Sequence, residues 1–210
     1  MQTNYYFLRQ LSKRLEEELV GLVFAECFSQ EKDELVLGFC TDGKQWRKKR
    51  DFYIKAVLHP DFACLNFPDD FRRAGRNSVD LFKEINGLRV ERVQQFLNER
   101  AFALYFENNF TLLFKMYGNR SNIVLFEGDE VLDLFHNKLV VDNNLSLQTL
   151  DRPIDQSFEA FVAANGQLNA LFPTFGKEIV KLIQGKVKAL EQPTLEQQWA
   201  IVQEILKELE

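Results

Sequence analysis

The feature that most limits what this chain can fold into is a change in its apolar period. As far as residue 134 the apolar residues come in short runs: Leu22 to Phe28, Glu34 to Cys40, Phe52 to Leu58, Ala63 to Phe67, Val90 to Phe96, Phe102 to Glu107, Thr111 to Tyr117, Asn122 to Phe126 and Val131 to Leu134. Most connections between them are polar or contain glycine. Many short strands at this spacing predict a sandwich or barrel, and the first two, parted by the polar segment 29–33, predict a hairpin. Ahead of them, Leu8, Leu11, Leu15 and Leu19 recur at steps of three and four with charges between, which predicts an amphipathic helix ended by Gly21. A short helix is also expected over Asn77 to Ile85, capped by Asn77 or Ser78 and stopped at Asn86-Gly87. The first region therefore reads as α+β.

Around Leu150 the composition changes. The stretch Asp151 to Ser157 carries a proline, several turn formers and a helix cap. Beyond it the spacing is helical: Phe158 to Ala164, Leu168 to Leu171, Lys177 to Leu190, and Leu195 to Leu209 after Pro193. We therefore expect two domains, 1–152 (α+β) and 153–210 (all-α). In the last helix Leu195, Trp199, Val202, Leu206 and Leu209 step by four and three. That pattern is either the start of a coiled coil or an apolar face packed on neighbouring helices, and a coiled coil would make the chain a fragment of something longer.

The formal net charge is −5, which argues against nucleic acid only if the charge is spread evenly. From Lys44 to Arg92 there are 12 Lys and Arg against 7 Asp and Glu, while the rest of the chain is strongly acidic. A basic face on an acidic protein is one consequence; ordinary solvated strands and loops are the other. No apolar stretch approaches the ~20 residues of a membrane span, and no charged-then-apolar leader opens the chain. A cytoplasmic protein is expected. Cys27, Cys40 and Cys64 show no paired spacing, so buried free thiols are expected, and His59 and His136 stand far apart. No metal and no cofactor is expected.

The Gly-rich phosphate loops, the nucleophile elbow and the zinc-helix motif are all missing from the sequence. A binding protein is expected, and no catalytic residue is assigned. Three constellations suit RNA instead. The first is the cationic run Arg47, Lys48, Lys49 and Arg50 beside Trp46 and Phe52-Tyr53, joined by Arg72, Arg73 and Arg76. Cations interleaved with aromatics neutralise phosphates and stack on bases. The second is Asn98-Glu99-Arg100, where a carboxylate beside an arginine either aims it at a base edge or phosphate, or merely forms a local ion pair. The third is the turn 172–179, in which Gly176 and Lys177 lead into a helix whose first N–H groups suit a phosphate; a plain helix-connecting turn is the alternative.

Three segments also resemble a known family. They are residues 14–21 (RLEEELVG), residues 82–100 (FKEINGLRVERVQQFLNER) and residues 116–125 (MYGNRSNIVL), the last similar to a G-x-x-S-N-I-x-L strand signature. Residues 168–177 (LNALFPTFGK) are similar to a helix-hairpin-helix module. The family is NFACT, the RqcH/NEMF-like ribosome-associated quality-control factors formerly labelled fibronectin-binding protein A. The resemblance spans nearly the whole chain. It implies an NFACT-N domain, a β-sandwich or barrel with flanking helices akin to the N-terminal domain of formamidopyrimidine-type DNA glycosylases, followed by helix-hairpin-helix and the root of a coiled coil.

The resemblance implies a binder of tRNA and of the large ribosomal subunit obstructed by peptidyl-tRNA. Such factors recruit tRNA for template-free alanine tailing of the stalled chain, with peptide transfer done by the ribosome. Those glycosylases carry a proline nucleophile after the initiator Met; here Gln2 stands there, so base excision is not expected. The family's tRNA motif is an N-terminal Asp with an Asp-Arg pair, which by spacing fall on Asn4 and on Glu99-Arg100. Both acidic positions depart from the pattern, and Arg100 keeps it. The other class of function left open is a protein-interaction module of the kind the older fibronectin-binding label names.

Overall fold

The structure is a computed structural model and describes residues 4–41 and 50–209. Helix α1 (Tyr5–Leu19) forms on the leucine spacing noted above and turns Leu8, Leu15 and Leu19 into the core. It ends at Val20, and Gly21 follows with a φ of 88°, a left-handed value that glycine takes without strain.

Two five-stranded antiparallel sheets follow. The first contains β1 (Val23–Ser29), β2 (Glu34–Cys40), β3 (Phe52–His59), β4 (Phe62–Asn66) and β5 (Val79–Asp80), in the order β4-β3-β2-β1-β5. The second contains β6 (Val90–Gln95), β7 (Ala101–Phe106), β8 (Phe110–Lys115), β9 (Asn122–Glu127) and β10 (Glu130–Leu134), a meander in the order β10-β9-β8-β7-β6. The segment 87–90 joins the sheets by pairing with the start of β1, through Phe24 N to Leu88 O at 2.8 Å and Val90 N to Leu22 O at 2.9 Å. The α+β class expected from the apolar runs is the one observed.

The inner faces of both sheets meet over a phenylalanine-rich core. Phe24 lies edge-on to Phe39 at 5.4 Å and to Phe106 at 5.5 Å, and Phe102 stacks on Phe114 at 4.7 Å. Such pairs add about 0.5–1.5 kcal/mol each beyond the area they bury. The second sheet is buried on both sides, because Leu145, Leu147 and Leu150 cover its outer face over Phe96, Leu113 and Val124. That is why β7 and β8 read as continuous apolar runs rather than alternating ones.

One expected element is corrected. Asn77 to Ile85 is not a helix. Asn77 and Phe82 are left-handed, with φ of 59° and 49°, and only Lys83–Ile85 makes a single 3-10 turn. Between them Val79 and Asp80 pair with Ser29 and Phe28 of β1. The β-branched Val79 suits a strand, and the burial of Phe82 and Ile85 in the core overrides local helix preference.

The remaining helices are α2 (Phe158–Ala163), α3 (Leu168–Leu171), α4 (Gly176–Lys188) and α5 (Leu195–Leu209), as their spacing predicts. They share a core with Tyr5 and Tyr6 from α1, so the first turn of α1 is held between the β-region and the helices. The apolar stripe of α5 faces its neighbours: Val202 and Ile205 are buried, and Trp199 packs on Phe158, Phe161 and Phe172. No described helix is long and apolar enough to cross a membrane.

Candidate nucleic-acid interface

Where the first turn of α1, the β6–β7 turn, the end of β8 and the approach to α4 converge, the surface opens into a cleft of about 920 Å³. It is lined by Asn4, Glu99, Arg100, Thr174, Gly176 and Lys177, all from segments singled out in the sequence. Tyr117, Arg120 and Arg152, which the sequence did not mark as candidate site residues, line it too.

Each side chain has a local reason for its place. Asn4 caps α1, its Oδ1 accepting from Tyr6 N at 2.9 Å and Phe7 N at 3.4 Å. Asn98 takes a left-handed φ of 54°, tightening the β6–β7 turn so that Glu99 points inward and Arg100 outward. The Glu99 carboxylate is buried and ion-paired with the Arg152 Nε rather than with Arg100. Arg100 is exposed, lies over the Tyr117 ring at 5.9 Å and, among the described residues, forms no ion pair. Burial, and then the hydrogen bond to Glu99, push the Tyr117 phenol well above its usual range. It therefore stays protonated across the physiological range, facing the Glu99 carboxylate.

On the opposite wall α4 opens at Gly176, whose φ is 67°, and no side chain caps its first turn. Lys177 is exposed there, and the Thr174 hydroxyl beside it is buried without a hydrogen-bond partner. Among the described residues around the cleft, four cations (Arg100, Arg120, Arg152, Lys177) stand against three carboxylates (Glu99, Glu178, Glu208). Exposed guanidinium groups, an aromatic ring and free main-chain N–H donors suit phosphates and an unpaired base.

Below the cleft lies a buried ionic group. Lys115 is ion-paired with Asp142, whose other oxygen accepts from Asn122 Nδ2 at 2.9 Å, and the Lys115 ammonium is 5.4 Å from the Tyr117 ring. His136 extends it, with Nδ1 3.1 Å from Ser121 O and Nε2 3.3 Å from Asp33 Oδ1, across to the first sheet.

Arg50, Arg72, Arg73 and Arg76 do not line the cleft. Arg47, Lys48, Lys49 and the neighbouring Trp46 lie outside the described residues, as does Gln2. Arg50 pairs with Glu26 at 2.8 Å. Arg73 pairs with Asp80 at 2.6 Å and lies over the Phe28 ring at 4.5 Å, while Arg72 and Arg76 are exposed. Arg50, Arg72, Arg73 and Arg76 sit on or beside the first sheet. Cys27, Cys40 and Cys64 are buried and not joined in a disulfide, and the described residues hold no cluster of metal-binding side chains.

Sequence reasoning missed Arg152 because it sits in what reads as a linker, and Tyr117 and Arg120 because they sit at the edge of a strand motif. The arginine in Asp151-Arg152-Pro153, a segment otherwise made of turn formers, was the available signal.

No protein-family model matches the chain, nor does any curated protein. Solved structures do. The N-terminal domain of the fibronectin-binding protein PavA of Streptococcus pneumoniae is 18% identical, over 89% of this chain and 82% of that one, with a TM-score of 0.59. The likeness is one of fold. The fibrinogen-binding protein of Staphylococcus aureus shares it at 16% identity, over 100% of this chain and 83% of that one, with a TM-score of 0.64. So does the N-terminal part of the fibronectin/fibrinogen-binding protein of Streptococcus suis, at 16% identity, over 94% and 83%, with a TM-score of 0.63.

Proposed function

We propose that this chain is an RNA-binding factor that takes tRNA in the cleft between its β-region and its helices. By its NFACT-like sequence segments, it works on large ribosomal subunits obstructed by peptidyl-tRNA. In this reading it is a cytoplasmic binder, and the ribosome performs peptide transfer during tailing of the stalled chain. One observation carries the reading: Asn4, Glu99-Arg100 and the Thr174–Lys177 turn, widely separated in sequence, line the same cleft. Arg100 and Lys177 contact phosphate or base, the Tyr117 ring offers a stacking face, and Glu99 and Asn4 shape the site from behind.

The test is binding of purified tRNA and of large ribosomal subunits at two salt concentrations, with Arg100→Ala alongside. Counterion release makes affinity fall as salt rises, and Arg100→Ala weakens tRNA binding. Affinity insensitive to both salt and Arg100 refutes the reading.

A second reading, a protein-docking module, is favoured by the names of the structural neighbours, which are described as fibronectin- or fibrinogen-binding proteins. Retained subunit or protein binding with no tRNA binding at any salt supports it.

A further inference from the structure

The short segment Asp151-Arg152 does more than connect the two regions. Four contacts strap it onto the β6–β7 turn. Leu97 N–H donates to Asp151 Oδ1 at 2.6 Å, and Arg152 N–H donates to Leu97 O at 2.9 Å. Asn98 Nδ2 donates to Arg152 O at 2.8 Å, and the Arg152 guanidinium pairs with Glu99. From the other side, Gln156 Nε2 reaches both Asn98 Oδ1 at 3.4 Å and Leu171 O at 2.7 Å, tying the strap to the helices. The side chain of Arg152 is 63% exposed and that of Glu99 only 8%. A surface cation is thus fixed over a carboxylate at the back of the cleft.

The charge balance gives this pair weight. Among the described residues the cations lining the cleft outnumber the carboxylates only by four to three, and Glu99 lies in the residue pair that places Arg100. An uncompensated carboxylate in a half-enclosed site repels a phosphate more strongly than one in open water, because the local dielectric is lower. It also competes for the Arg100 guanidinium and draws it off the Tyr117 face.

We propose that Arg152 is a positioning residue of the cleft, which masks the Glu99 carboxylate so that Arg100 is left free for a polyanionic ligand. The proposal rests on the RNA-binding reading and adds to it a residue outside both regions' own elements. Tyr117 works with it: its protonated phenol faces the same carboxylate, and its ring supports Arg100 from below.

A double-mutant cycle tests this on the full chain, with tRNA affinity measured at two salt concentrations. Arg152→Gln is expected to weaken binding by at least about tenfold while Glu99 is present, the size of an unpaired interfacial charge. In the Glu99→Gln background the same substitution is expected to cost no more than about twofold, because no carboxylate remains to be masked. Arg152→Lys restores most of the affinity by returning the charge, and it separates masking from a loss of fold, as does a melting curve of each variant. An equal loss in both backgrounds, with the salt slope falling by about one, would instead make Arg152 a direct phosphate contact and overturn the proposal. Failure of the reading is a different result: the unaltered chain then binds no tRNA at either salt concentration.

Discussion

The molecule holds cationic side chains in two contrasting settings. On the first sheet, Arg50 and Arg73 are bound to Glu26 and Asp80, and Arg73 also covers the Phe28 ring. At the cleft, Arg100, Arg120 and Lys177 are exposed and, among the described residues, form no ion pair. The first region is far richer in Lys and Arg along the sequence. Yet two of its arginines are tied down by carboxylates on strands of that same sheet. For Arg50 and Arg73, a place in a basic stretch of sequence is therefore a poor guide to a cation available for an anion.

The sharpest way to break this contrast is at Lys115, the limiting case of a cation without freedom. Asp142→Ala strands its ammonium in the core and is expected to cost about 3–5 kcal/mol of stability, read from denaturant unfolding. Adding Lys115→Met removes the stranded charge and recovers most of that loss, because an apolar side chain of similar volume replaces a buried pair with little penalty. A single substitution that left the unfolding midpoint unchanged would show that water reaches the pair.

Next in size is the pair of cleft cations. Arg100→Ala with Lys177→Ala is expected to lower tRNA affinity by about 100-fold, at roughly 1.4 kcal/mol per contact, and to flatten the salt dependence. The melting temperature should hardly move, since both side chains are exposed. A large loss of stability with unchanged affinity would reverse the roles assigned to the two regions.

How much of this was legible in the sequence differs between fold and site. The leucines of α1 and the spacing in α5 announce their helices, because each buries one face and the period survives in the residues. Residues 77–85 do not, because a helix cap pattern there competes with pairing to β1, a contact fifty residues away in sequence. In the site, Asn4, Arg100 and Gly176 could be proposed one segment at a time. Their convergence, and the capture of Glu99 by Arg152 instead of Arg100, depend on how the linker docks, and no local pattern records that. Lys115 did leave a trace: it is the one charged residue between Glu107 and Arg120, within an apolar strand. A lysine there has to find a buried partner.

The first sheet's arginines give smaller effects. Arg73→Ala is expected to cost about 1 kcal/mol, the sum of a half-exposed ion pair and a cation–ring contact, while tRNA affinity stays within about twofold. A matching loss of affinity would extend the interface from the cleft to the first sheet.

The smallest effect is a pH dependence. The hydrogen bond from the Arg73 guanidinium holds the Asp80 carboxyl below its usual range, against the opposing pull of partial burial. A carboxyl whose folded-state pKa is depressed contributes stability above its unfolded pKa of about 4, and that contribution is lost as pH falls through the folded value. Stability should therefore decline below about pH 4 more steeply in the unaltered chain than in Arg73→Ala, where Asp80 has lost its main partner. The difference is only a few tenths of a kcal/mol at such exposure, so it is best read as the gap between two melting curves across pH 3 to 6. If the two curves run parallel, Asp80 and Arg73 are not coupled in solution. Arg73 would then be as free as Arg100, and the contrast between the two regions would rest on Arg50 alone.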